Sequence, residues 1–207
     1  MTWRGPVVLG CLLVLGAGGG FGVAMAMADN SAGGGAAAPV AAQSPSLPVD
    51  PEPSLLPDPA TPALPVELDL RRVTFGVAGF GISYPVPKGW TETRSVNDAK
   101  WRAPDHVDFG YLLRVEQVGQ NRTIERTMQD RIRDLDLDEE GFQVTEQTTD
   151  TLRFTYIVSQ HRRFGLLRWL DLGSGFADVE ISVSGRSVDL PGMEALLERV
   201  AAGVRPA

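Results

Sequence analysis

Ala177-Asp178-Val179-Glu180-Ile181-Ser182-Val183-Ser184 alternates apolar and polar side chains without interruption and leads through Gly185 toward Asp189-Leu190-Pro191-Gly192-Met193. Successive side chains of a strand point to opposite faces, so this stretch predicts a strand with Ala177, Val179, Ile181 and Val183 on a covered face. Asp178 and Glu180 then fall on the solvent face. Asp189 is placed to cap a following helix, with Pro191 in its first turn and Met193, Leu196, Leu197, Val200 and Val204 along one side. A helix with one apolar stripe lies on a sheet, which predicts a layered α+β domain.

Upstream the pattern extends consistently. Leu152, Phe154, Tyr156 and Val158 share one side of a strand over 152–159, joined through Thr149-Asp150-Thr151 to another over 142–149. Gln160 to Arg163 is a polar, basic turn before an apolar run over 164–172, and Gly173-Ser174-Gly175 is a further turn. Asn121 or Thr123 can cap a helix whose apolar face is Ile124, Met128, Ile132 and Leu135. Tyr111, Leu113 and Val115 alternate with Arg114 and Glu116, and short extended pieces are expected at 91–94 and 100–103. Residues 73–84, broken by glycines at 76, 79 and 81, read as a hairpin or bulged strand. The fold class is therefore α+β, a mainly antiparallel sheet flanked by helices.

The 207-residue chain carries a net charge of -7, and from Val66 onward 18 basic face 22 acidic side chains. That balance lacks the basic face of a nucleic-acid binder. Cys11 is the single cysteine and lies in the apolar N-terminal segment, so a disulfide framework, a thiol nucleophile and thiolate metal sites are excluded from the folded part.

Three segments are expected: 1–28, 29–65 and 66–207. Arg4 precedes an apolar run from Val7 to Ala28 which, as a helix, would be roughly 33 Å long, enough to cross a bilayer core. As a signal anchor it leaves the N-terminus inside and the rest of the chain outside, a single pass in the cell membrane. The alternative is a signal peptide with Ala26-Met27-Ala28 before Asp29 as its cleavage site, which gives a secreted protein. Val8-Leu9-Gly10-Cys11 resembles a lipoprotein box, but most of the apolar run follows the cysteine. Gly16/Gly20 and Gly18/Gly22 are small-residue pairs through which two anchors could pack. Residues 29–65, with nine prolines and four acids, read as a disordered or extended spacer.

The order of elements resembles the PsbP-like α/β/α sandwich, named for an extrinsic subunit of photosystem II. The residues that carry the likeness are Phe80-Gly81-Ile82-Ser83-Tyr84-Pro85-Val86-Pro87-Lys88-Gly89-Trp90, then Trp101, the pair Phe154 and Tyr156, and the strand 179–184 with the closing helix. The likeness is to versions found as anchored or secreted envelope domains in actinobacteria, sometimes outside membrane Ser/Thr kinases. It implies an accessory or binding module and transfers no ligand site.

Asp134, Asp136 and Asp138 before Glu139-Glu140-Gly141 suggest a calcium loop, but Glu139 stands where an EF-hand needs glycine and Thr145 where it needs glutamate. A solvated helix end, with Leu135 and Leu137 turned inward, explains them. His106 and His161 lack a second nitrogen ligand nearby in sequence, and no phosphate loop, G-x-S-x-G or H-E-x-x-H is present. The expectation is a non-catalytic extracytoplasmic binding or scaffolding module without cofactor or metal, whose partner is a protein or cell-wall component. Its binding residues are expected at the basic turn: His161, Arg162 and Arg163, with Arg168 and Trp169. The alternatives are an envelope-glycan hydrolase using Glu116, Asp178 and Glu180, or a structural domain dimerising through its anchor.

Overall fold

The computed structural model describes residues 54–76, 81–104, 111–119 and 121–207. The anchor or signal segment, the Ala28/Asp29 cleavage point, the spacer through residue 53, Phe80 and His106 lie outside the described residues. Among those described, no helix is long and apolar enough to cross a membrane.

The order is β1 (Leu70–Phe75), β2 (Ile82–Pro87), β3 (Thr91–Arg94), β4 (Asp98–Arg102), β5 (Leu112–Gln117), α1 (Ile124–Asp138), β6 (Glu140–Gln147), β7 (Thr151–Val158), β8 (His161–Leu170), β9 (Val179–Gly185), a 3₁₀ turn (Ser187–Asp189), α2 (Leu190–Gly203) and β10 (Arg205–Pro206). Seven strands form one sheet in the order β3-β4-β5-β9-β8-β7-β6, and β1-β2-β10 form a second. Every pairing is antiparallel. The α+β class with an antiparallel sheet flanked by helices is thus the observed one.

β9, the strand with the strongest alternation, is the central strand. Val179, Ile181 and Val183 are fully buried in one core with Leu113, Val115, Leu166 and the α2 residues Met193, Leu196 and Val200. Burial of each such side chain stabilises by about 1.5–3 kcal/mol. Leu167 and Trp169 enter a second core, with Leu152, Phe154 and the α1 residues Met128 and Leu135. Leu166 and Leu167 are consecutive on β8, so the two helices cover opposite faces of the sheet.

This double covering corrects the reading of Glu180 as solvent-facing: it is only 5% exposed. Alternation says that two faces differ in polarity; it does not say that the polar one is wet. Leu137 is 78% exposed and not turned inward, because the helical period that buries Leu135 carries it to the opposite side. Thr123 caps α1 as expected, its hydroxyl accepting from Arg126 N–H at 3.3 Å.

The packed domain starts upstream of Val66. Leu56 N–H donates to Gln160 O at 2.8 Å. Arg186 donates through Nη1 to Pro59 O and Thr61 O, both at 3.1 Å, and to Thr61 Oγ1. Its Nη2 reaches Pro62 O at 2.8 Å. Leu64 is buried, and its N–H donates to Asp189 Oδ1 at 2.9 Å. Residues 56–64 are therefore a strap on the domain, where the sequence predicts spacer through residue 65. Little of the strap's backbone is paired within itself, Thr61 N–H donating to Pro59 O at 2.8 Å, so its carbonyls are open to a guanidinium presented by the fold.

Asp189 has a different role from the expected one as well. It stands at the N-cap of α2 but makes no side-chain bond to the helix. Its carboxylate instead accepts from Arg186 N–H at 2.9 Å, Nε at 2.8 Å and Nη2 at 2.8 Å, besides Leu64.

Candidate functional site

The basic turn is the first place to look, and the fold disperses it. The tight turn is Ser159-Gln160, both residues at positive φ as in a type I′ hairpin, and His161 already belongs to β8. Strand alternation then sends neighbouring residues to different surroundings. Arg163 is 4% exposed and pairs with Asp58 of the strap at 2.6 Å, with His161 Nδ1 at 3.5 Å from the same carboxylate. Arg162 is exposed. Arg168 pairs with Glu198 of α2 at 2.7 Å and with Asp150 at 3.3 Å. Trp169 is fully buried beneath α1. These five residues form no common surface, and Trp90 and Trp101 are likewise buried in the core.

Two of the three candidate acids do come together. Glu116 on β5 stands directly opposite Glu180 on β9. Asp178 is used elsewhere: it accepts from Leu172 N–H and from Ser174 Oγ, each at 2.7 Å, and so holds the 173–175 turn.

Glu116 and Glu180 lie at a cleft of about 380 Å³ between the sheet and α1. Trp169 Nε1 donates to Glu180 Oε2 at 3.0 Å. Glu180 Oε1 lies 3.5 Å from Arg131 Nη2, too far for a good hydrogen bond. That oxygen and Arg131 Nε are buried without a hydrogen-bond partner among the described residues. Burial pushes the Glu180 carboxyl above its ordinary range; Arg131 counteracts and Glu116 reinforces the shift.

Glu116 is held on its other side. Arg114 Nη2 lies 2.6 Å from Glu116 Oε2, and Asn97 Nδ2 donates to Oε1 at 3.1 Å. Arg114 also reaches Asp98 at 3.2 Å. A row of charged side chains thus crosses β4, β5 and β9 to α1, with the two carboxylates Glu116 and Glu180 side by side between Arg114 and Arg131.

At the mouth of the cleft, three arginines meet one acid. Arg122, Arg126 at 3.4 Å and Arg133 at 3.2 Å all pair with Asp130. Partial desolvation pushes the Asp130 carboxyl up, but Arg126, Arg122 and Arg133 together outweigh it and hold the group below its ordinary value. Sequence reasoning missed this mouth. The signal was present in the spacing of Arg126, Asp130 and Asp134, four apart, which sets them on one face beside the apolar stripe of α1, with Arg122 just ahead of the N-cap.

No family model matches the chain, and no curated protein matches it. Among solved structures it is similar to cyanobacterial PsbP (CyanoP) from Synechocystis sp. PCC 6803. That alignment has 12% identity and a TM-score of 0.38, and it covers 67% of this chain and 92% of the other.

Asp134 lines the cleft, and Asp136 and Asp138 stand on the last turn of α1. Among the described residues no three His, Cys, Asp or Glu side chains are grouped to hold a metal ion. What the cleft offers chemically is an acceptor and a donor inside and three guanidiniums beside two carboxylates at the rim, in a lining of four arginines and four carboxylates.

Proposed function

We propose that this chain is a non-catalytic binding or scaffolding module of the bacterial cell envelope, of the anchored or secreted kind found in actinobacteria. Residues 7–28 and the spacer hold it outside the membrane, and its partner, a protein or a cell-wall component, docks at the cleft beside α1. Cleavage between Ala28 and Asp29 would release the same module without changing the site. The export reading rests on the uncharged run from Val7 to Ala28.

One observation supports the placement of the site. Buried polar atoms are nearly always hydrogen-bonded, yet Glu180 Oε1 and Arg131 Nε are buried beside an open cleft without a hydrogen bond among the described residues. A ligand that supplies both complements removes two desolvation penalties at once.

The test uses the full chain, immobilised and exposed to envelope extract. Replacing Arg126 and Arg133 by Ala, both more than half exposed, is expected to lower partner capture about tenfold or more, as loss of charged hydrogen bonds does, with the melting temperature unchanged. Arg162→Ala is expected to have no effect. Undiminished capture by the double variant overturns the cleft as the site.

The raised Glu180 carboxyl beside Glu116 supports a second reading, an envelope-glycan hydrolase with Glu180 as general acid. Directly paired strand residues project the same way, whereas a glycosidase pair faces across the substrate at roughly 5–9 Å. Turnover of wall fragments that vanishes in Glu180→Gln would establish this reading over the first.

A further inference from the structure

This inference rests on the reading of the α1 cleft as a binding site, and concerns what enters it. We infer that the cleft takes the carboxy-terminal end of a peptide, its carboxylate on the arginines at the mouth and a backbone amide on Glu180 and Arg131. An amide presents one N–H and one C=O, which are the complements of the partnerless Glu180 Oε1 and Arg131 Nε. A neutral donor fits better than an ammonium group there, because the Arg131 guanidinium 3.5 Å from Glu180 opposes a second cation.

The mouth selects the other end of the ligand. Arg122, Arg126 and Arg133 converge on Asp130, and Asp134 is the other acid beside them, so at the mouth three guanidiniums face two carboxylates, within a lining that balances four arginines against four carboxylates. Arg126 and Arg133 are 62% and 59% exposed in their side chains, which leaves donors for an incoming carboxylate in the forked geometry that guanidinium favours. A glycan of similar size is disfavoured by the walls. Among the described residues no aromatic ring lines the cleft, and the ring of Trp169 nearby is fully covered and cannot stack on a sugar. The volume of about 380 Å³ lies at the small end of ligand sites, enough for a terminal residue or two.

The experiment is calorimetric titration of the full chain with N-acetyl-Ala-Ala, with the same peptide carrying a C-terminal amide, and with N-acetylmuramic acid. Binding of the free acid, weakened at least tenfold for the peptide amide and at least tenfold in the Arg126→Ala/Arg133→Ala variant, supports the inference. Glu180→Gln, which keeps shape, is expected to weaken the free acid while retaining the ratio between acid and amide. Equal binding of acid and amide, binding of the sugar acid alone, or no binding of either peptide at millimolar concentration overturns it. The two levels separate cleanly. Should the arginine variant lose envelope partners while no peptide binds, the ligand class falls and the binding-module reading stands; should it lose neither, both fall.

Discussion

Asp189→Asn tests how the strap is held. The side chain is fully buried, and Arg186 beside it is 1% exposed. Oδ2 accepts from Arg186 N–H and Nε, while Oδ1 accepts from Arg186 Nη2 and Leu64 N–H. An asparagine of the same shape has one acceptor oxygen, so whichever way its amide turns, two donors lose their partner and face an NH₂. The Arg186 charge, left uncompensated, adds to this. Breaking a buried pair from one side costs about 3–5 kcal/mol, so the unfolding midpoint in urea falls by the equivalent amount. At roughly 2–4 °C per kcal/mol for a domain of this size, the melting temperature drops by roughly 6–20 °C. Trp101 and Trp169, both fully buried, report unfolding by fluorescence. Burial pushes the Asp189 carboxyl up, but the hydrogen bonds from Arg186 and Leu64 and the Arg186 charge hold it below its ordinary value. Its contribution is therefore complete above about pH 4, the unfolded carboxylate value, and is lost as pH falls through the depressed folded value, so wild type and variant converge in acid. Amide exchange at Leu64 accelerates in the variant. A midpoint within about 0.5 kcal/mol of wild type, with Leu64 still protected, refutes the latch.

Three other outcomes are expected. Gly192→Ala places a Cβ 2.2 Å from the Leu64 carbonyl oxygen, a backbone atom that must move, and destabilises by about 1–3 kcal/mol in urea unfolding, with faster exchange at Leu64. A chain starting at Val66 is less stable than one starting at Ser54 by at least the roughly 1.5–3 kcal/mol of Leu64 burial, and equal midpoints would detach the strap from the domain. For Glu180 the linkage runs opposite to that of Asp189: a raised folded value gives stability that is full below the ordinary carboxylate value and lost as pH rises through the folded one. The stability of Glu180→Gln relative to wild type therefore increases from about pH 4.3 upward, and a difference independent of pH counts against a strained Glu180.

The strand and helix pattern was legible because burial here follows local periodicity. Val179, Ile181 and Val183 announce β9, and Ile124, Met128, Ile132 and Leu135 announce α1, without help from distant residues. What escaped depends on partners far along the chain. Pro59, Thr61 and Pro62 have the composition of a spacer, and only the guanidinium of Arg186, more than 120 residues away, makes them part of the domain. Glu180 has the alternation of a wet face, and only α1 above it makes that face an interior. His161 to Arg163 have the charge of a surface turn, but the turn closes at Ser159-Gln160 and the strap supplies Asp58.

The same distant partners explain why the proposed site lies at α1 and not at the basic hairpin. The strap engages Arg163 and Arg186, and Arg153 and Arg168 pair with Glu194 and Glu198 of α2. Those four arginines stabilise the fold; Arg163 Nη2 and Arg168 Nε are buried without a hydrogen bond among the described residues, but the ion pairs of these side chains, to Asp58 and to Asp150 and Glu198, hold them in place. The cleft differs in stoichiometry. Three guanidiniums share Asp130, so a second carboxylate can arrive without displacing the first, and beneath it Glu180 Oε1 and Arg131 Nε have no hydrogen bond among the described residues to give up. A ligand at the hairpin would exchange one ion pair for another, whereas one at the cleft would add contacts; that asymmetry, more than the local count of positive charge, is what favours the proposed surface at α1.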